Sequence, residues 1–126
     1  MEKNKVFLLS HQDDEMGVFN HIKNINNSTS ETYIFFLTNG NIGKSINSKL
    51  IKLREQESIK VLTRLGIKKK NIFFIDKKLK TCSYKLHEKI DSSYKLLSKF
   101  FQKQKKDTII FSHAWEGGNT DHDTSY

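Results

Sequence analysis

Cysteine and arginine are nearly missing from this chain. Its one cysteine, Cys82, excludes an internal disulfide, fits a reducing compartment and is read as an inert thiol. Only Arg54 and Arg64 are arginines; the rest of the basic residues behind the formal charge of +8 are lysines. Recognition of phosphates and base edges leans on arginine forks, so no nucleic-acid partner is expected. The lysines cluster at 68–70, 77–80 and 103–106, at expected element ends, and are read as solvated surface. No apolar run approaches the roughly 18 residues of a membrane span. Val6 to Leu9 is far too short to be a signal region. Neither internal repeat, low-complexity segment nor linker is present. The expectation is a cytoplasmic protein whose 126 residues form a single domain.

What is present is an alternation of apolar runs and helical periodicity. Val6–Leu9, Tyr33–Leu37, Ile72–Ile75 and Thr108–Phe111 read as strands, the first buried on both faces. Helices are expected over Glu15–Asn26, Lys49–Leu65 and Tyr84–Phe101. Gly66 ends the second. Polar loops are expected over Asn26–Ser30 and Thr38–Gly43. On a wheel of about 100° per residue, Leu50, Leu53, Val61 and Leu65 share an arc with Arg54 and Glu57. The two charges either form a buried ion pair or touch a substrate. In the third helix Leu86, Ile90, Leu97 and Phe101 share a side. Strand–helix alternation implies an α/β fold: a parallel, Rossmann-like sheet with helices on both faces.

Two clusters of polar residues lie at strand exits. The first is Ser10-His11-Gln12-Asp13-Asp14-Glu15; the second comprises His113, Glu116, Asp121, His122 and Asp123. Carboxylates at the exit of a buried strand need a cation or a metal, and ligands of open parallel sheets bind beyond the C-terminal strand ends. Taken alone, Asp13-Asp14-Glu15 also suits the positive end of a helix dipole. Together the clusters are expected to meet and hold one divalent metal. His11, Asp14 and His122 suit zinc and leave a fourth position for water, whose pKa then falls to about 7. Asp13 is the candidate general base, and Asp121 the residue that fixes an imidazole tautomer. Gly117-Gly118 allows the loop to fold tightly against the metal. Trp115 either stacks on a sugar or walls the pocket. His21 and His87 are read as solvated.

These residues carry a resemblance. The chain resembles the LmbE/PIG-L family of metal-dependent de-N-acetylases. The family's Ala-His-Pro-Asp-Asp-Glu is here Ser10 to Glu15. Its Arg-x-x-Glu helix ending in Leu-Gly is Arg54-Glu55-Gln56-Glu57 through Leu65-Gly66. Its Gly-His-Pro-Asp-His is Gly118-Asn119-Thr120-Asp121-His122. The resemblance implies a Rossmann-like fold and zinc-dependent removal of an N-acetyl group from an N-acetylglucosamine-type sugar conjugate. It implies His11, Asp14 and His122 as ligands and Asp13 as base.

Three departures stand out. Gln12 replaces a proline, altering loop stiffness. Asn119 replaces the histidine that stabilises the oxyanion or protonates the leaving amine; it can donate a hydrogen bond but carry no proton. Losing one such stabiliser costs about 10² to 10³ in rate, unless His113 takes its place. The chain also stops at Tyr126, where the family's catalytic domains continue, so a truncated or split product with one exposed sheet edge is expected. The alternative to an enzyme is a non-catalytic descendant that binds metal or sugar. Such a descendant, or a fragment, could complete its pocket with a second copy or a complementing chain.

Overall fold

The computed structural model describes residues 3–25, 30–41, 46–105 and 107–126; residues 26–29 and 42–43 of the expected loops, and the expected end of the first helix at Asn26, lie outside them. Strands β1 (Asn4–Leu9), β2 (Thr32–Phe36), β3 (Ile72–Phe74) and β4 (Thr108–Phe111) form one parallel sheet in the order β3-β2-β1-β4. Leu37 and Ile75 continue the ladder one residue beyond β2 and β3, through bonds to the carbonyls of Leu9 and Phe36. The described helices are α1 (Glu15–Ile25), α2 (Ser48–Arg64), α3 (Asp76–Leu79), α4 (Ile90–Phe101) and α5 (Thr120–Ser125), with 3-10 turns at Lys69–Asn71 and Leu86–Lys89. No described helix is long and apolar enough to cross a membrane.

Alternation along the strands divides the core in two. Phe7, Leu9, Ile34, Phe36 and Ile72 face α1 and α2, and Ile22 and Leu62 close that layer. Val6, Phe35, Leu37 and Ile75 face the other way, onto Leu86 and the half-buried Leu96, Leu97, Phe100 and Phe101. Helices therefore cover both faces, as a continuous apolar strand requires. Register is visible in the aromatics: Phe7 stacks on Phe111, Phe35 on Phe73 and Phe36 on Phe74, each pair directly opposite across the ladder. β4 occupies the edge, and Ile109 and Ile110 there are exposed.

Two helices differ from the wheel reading. Leu50 and Leu53 are exposed, and the buried positions of α2 are Glu55, Ser58 and Leu62. Only the C-terminal half of α2 packs on the sheet, through Ile59, Leu62 and Leu65. Its N-terminal half meets polar loops instead, where Arg54 reaches the carbonyls of Gly40 and Gln12. Arg54 and Glu57 do not pair: Glu57 is exposed, with no ion pair among the described residues, and Arg54 pairs with Asp13. The helix expected from Tyr84 begins as an α-helix only at Ile90, which is exposed. The backbone N–H groups of Tyr84 and Leu86 donate to the Asp121 carboxylate, and Tyr84 has φ 62°, so the chain turns there. Gly66 ends α2 as expected, with φ 88° and the Ile67 N–H bonded back to Leu62.

Candidate metal centre

β1 delivers its polar exit to the middle of the sheet, between the ends of β2 and β4. Ser10 is fully buried and ties the three loops together. Its carbonyl accepts from the Thr38 N–H and hydroxyl, its hydroxyl donates to the Asp121 carbonyl, and its N–H donates to His113 Nε2. The next turn is closed by Asp14, whose Oδ2 accepts the His11 N–H at 2.6 Å. Asp13 takes φ 116° in that turn, a strained value for a residue with a side chain. Its carboxylate is thereby thrown outward to 2.8 Å from Arg54 Nη2.

The termini of the chain converge on this turn. His113 follows β4, and His122 sits in the first turn of α5. Asn119 caps α5: its side-chain oxygen accepts from the N–H groups of Asp121 and His122. Asp14 Oδ1 lies 3.5 Å from His122 Nε2, and Asp14 Oδ2 lies 3.7 Å from His11 Nδ1 and 3.1 Å from His113 Nε2. One donor atom each from His11, Asp14 and His122 falls within 4.8 Å of the others.

The hydrogen bonds around the imidazoles decide what this trio can do. His122 Nδ1 is 2.9 Å from Glu116 Oε1, so the proton belongs on Nδ1. That leaves the Nε2 lone pair bare, and this atom is buried without a hydrogen-bond partner among the described residues. His11 Nε2 is 2.9 Å from Asp121 Oδ2, which directs the Nδ1 lone pair of neutral His11 toward Asp14. Two lone pairs and a carboxylate face one point, and each imidazole is oriented by a carboxylate behind it. The donor set fits a divalent ion of zinc type. A second trio, His113, Glu116 and His122, also brings donor atoms within 4.8 Å of one another. Its Glu116 is exposed and already engaged by His122 Nδ1, so the first trio is the better ligand set.

Without an ion the site is a dense ion-pair network. Burial opposes a charge on His11, but hydrogen bonds to Asp121 and Asp14 prevail and raise its pKa to about 9. Burial likewise opposes the Asp14 charge, yet His11 and His113 hold that carboxyl far below the ordinary range. Asp121, fully buried, also stays below its usual value despite burial, through His11 and the N–H groups of Tyr84 and Leu86.

The sequence supplies the family to which this architecture belongs. The model of the family described as PIG-L, GlcNAc-PI de-N-acetylase, matches residues 6–126. The chain belongs to the PIG-L family. No curated protein and no solved structure matches it.

In this PIG-L chain the structure brings His11, Asp13, Asp14, Asp121 and His122 together at one strand exit, with Asn119 capping the turn beneath His122. Arg54 reaches the same place through Asp13, whereas Glu57 lies further out, on a cavity it shares with Arg54 and Asp13. Trp115 is two-thirds exposed and covers Gly117, where an added Cβ would meet the indole at 3.1 Å. His87 is exposed, and exposed His21 sets its ring edge against Phe111. Cys82 is half-buried, accepting a weak hydrogen bond from Asn39. Two contacts differ from what the sequence suggests: Glu116 stands behind His122, and Arg54, expected to pair with Glu57 or touch a substrate, is paired with Asp13. Each depends on a contact across a loop, and spacing carries no such signal. The glycine of the second loop, Gly40, has φ 68°; a Cβ there would come 2.5 Å from Gln12 Oε1 and 2.9 Å from Arg54 Nη1.

Proposed function

We propose that this chain is a zinc-dependent hydrolase acting on the N-acyl group of an amino sugar, the N-acetyl group of an N-acetylglucosamine-type conjugate being the family's named case. The observation that carries the reading is the buried, unpartnered Nε2 of His122, 3.5 Å from an Asp14 oxygen and oriented from behind by Glu116. An ion held by His11, Asp14 and His122 would polarise the amide carbonyl and acidify a water. Asp13, adjacent to the ligand and held by Arg54, is the group that takes the water's proton. Asp121 keeps His11 in the ligating tautomer.

Metal analysis of purified protein tests the ligand set: one zinc per chain is expected, and a large loss in Asp14→Ala and His122→Ala. Acetate released from N-acetylglucosamine conjugates tests the reaction. Silence across a broad amide panel, with zinc confirmed bound, would refute it.

A second reading, a metal- or sugar-binding protein without turnover, is favoured by Asn119. Its side-chain oxygen is spent on the α5 cap, and it cannot carry a proton. Asn119→His separates the two. A large gain in turnover marks a weakened enzyme, and no change favours binding alone.

A further inference from the structure

A groove of about 450 Å³ lies between α4 and β3, at the sheet edge opposite β4. No residue of the candidate metal centre lines it. Phe73, Leu96 and Phe100 form its floor; all are half-buried, above the fully buried Phe35. Ring contacts hold that floor in place. Phe73 stacks on Phe35 with centroids 4.7 Å apart, and Phe100 stands edge-on to Phe35 at 4.9 Å and to Phe73 at 5.8 Å.

The polar lining is of one sign. Lys78 comes from α3, Lys99 from the last turn of α4, and Lys103 from the turn that follows, where its N–H bonds back to the Phe100 carbonyl. All three are exposed, and none has an ion pair among the described residues. No described carboxylate lines the groove. Lys77, beside Lys78, differs: its Nζ lies 2.8 Å from Glu55 and over the ring of Phe74.

Apolar floor and unpaired cations together select a ligand with an apolar body and an anionic end. The volume lies within the range of about 300–1,000 Å³ usual for small-molecule sites. The rings are recessed beneath the lysines, so a flat bilayer surface would meet the ammonium groups and leave the floor uncovered, whereas a single chain can enter. A second copy is the poorer occupant, because a two-fold contact sets the patch, lysines included, against itself. No arginine lines the groove to fork a nucleic-acid phosphate.

We propose that this groove binds a single-chain anionic amphiphile, of which a long alkyl carboxylate is the simplest, with the chain on Phe73, Leu96 and Phe100 and the head at Lys99 and Lys103. The site is separate from the metal centre and does not depend on the hydrolase reading. Each methylene laid on the floor contributes about two- to fourfold in affinity.

Calorimetry on the full chain tests this with octanoate, decanoate and dodecanoate, each kept dissolved as single molecules. Dodecyltrimethylammonium, with the same chain and the opposite charge, is the comparison. One dodecanoate per chain is expected, with affinity rising along the series. The double variant Lys99→Gln, Lys103→Gln is expected to bind dodecanoate about three- to tenfold more weakly. Both lysines are exposed, so its thermal midpoint should match that of the parent. Binding should persist after chelator treatment. Equal affinity for the cationic chain, or a series flat in chain length, overturns the site. Loss of binding on chelation moves the carboxylate to the metal centre and overturns it too. Capture by acidic phospholipid vesicles without binding of any dissolved chain assigns the lysines to a bilayer surface and overturns it. A concentration-dependent dimer that dodecanoate leaves intact gives the floor to a second copy, with the same consequence.

Discussion

The guanidinium of Arg54 lies 2.8 Å from the carboxylate of Asp13, 41 positions away in sequence. The same side chain donates to the carbonyls of Gly40 and Gln12. One planar fork thus ties the exits of β1 and β2 together and sets the direction of the carboxylate assigned as base. Lysine offers a point charge and cannot reproduce this geometry.

Arg54→Lys and Arg54→Met are therefore expected to lower kcat about 10- to 100-fold through misplacement of Asp13, with bound zinc unchanged. A residue that only gripped substrate would raise KM and leave kcat intact. Steady-state kinetics beside metal analysis separates the two roles.

Glu116→Gln removes the charge behind His122 Nδ1 while keeping the side chain's shape. Loss of such an orienting carboxylate typically weakens metal affinity by about 10- to 100-fold. Zinc competition against a chromophoric chelator reads this directly, and an unchanged dissociation constant contradicts the tautomer assignment. Glu116 is exposed, so the thermal midpoint of the metal-free protein should hardly move.

The metal-free protein should weaken as the solution becomes alkaline. His11 titrates near 6.5 when unfolded and at about 9 when folded, so its contribution is whole below about pH 6.5 and disappears as pH rises toward 9. The amount is about 1–3 kcal/mol after allowance for solvent screening. Asp14 and Asp121 act in the opposite sense: their lowered pKa values contribute above the ordinary carboxylate range and are lost on acidification. A zinc ion held by His11 would have to displace its proton, so apparent affinity should climb through the window in which metal-free stability falls. Denaturant unfolding of chelator-treated protein and zinc titrations across that window test both halves. Parallel trends, or none, contradict the network.

Asp76→Asn should stabilise the protein at neutral pH. Burial first, and then the charge of Glu55, push the Asp76 carboxyl up to about 6, against Lys77 and the helix-start N–H groups. Its folded pKa exceeds the unfolded one, so ionisation above about pH 6 costs stability. Removing the charge is expected to add about 1–2 kcal/mol at pH 7.5, with the gain shrinking below pH 6. Denaturation midpoints at pH 7.5 and pH 5 measure the difference; a variant destabilised at both rules the account out.

Much of this was legible in the residues because it depends on local pattern. Unbroken apolar runs with polar exits marked the four strands, although the fourth lies at the sheet edge with Ile109 and Ile110 exposed. The glycine after Leu65 marked a helix end, and it sits there with positive φ. Paired carboxylates and histidines at two strand exits marked the ligand candidates, although nothing in their spacing required them to meet. Helix faces were less readable. An arc of leucines identifies an apolar stripe but not what lies beneath it, and the first half of α2 meets loops rather than strands. Asp121 likewise captured two backbone N–H groups from a segment of helical pattern and turned it into a bend.

By itself the sequence determined the sheet, the layers and the chemical character of the strand exits, because burial on both faces and short-range backbone geometry are properties of neighbouring residues. Tertiary structure alone decided that His11 and His122 flank Asp14, that Glu116 and Asp121 stand behind them, and that Arg54 serves Asp13. Those relations join positions up to 111 residues apart. They arise where separate loops are brought to the same edge of the sheet, and the order of the strands in space, not their order in the chain, fixes which loops meet.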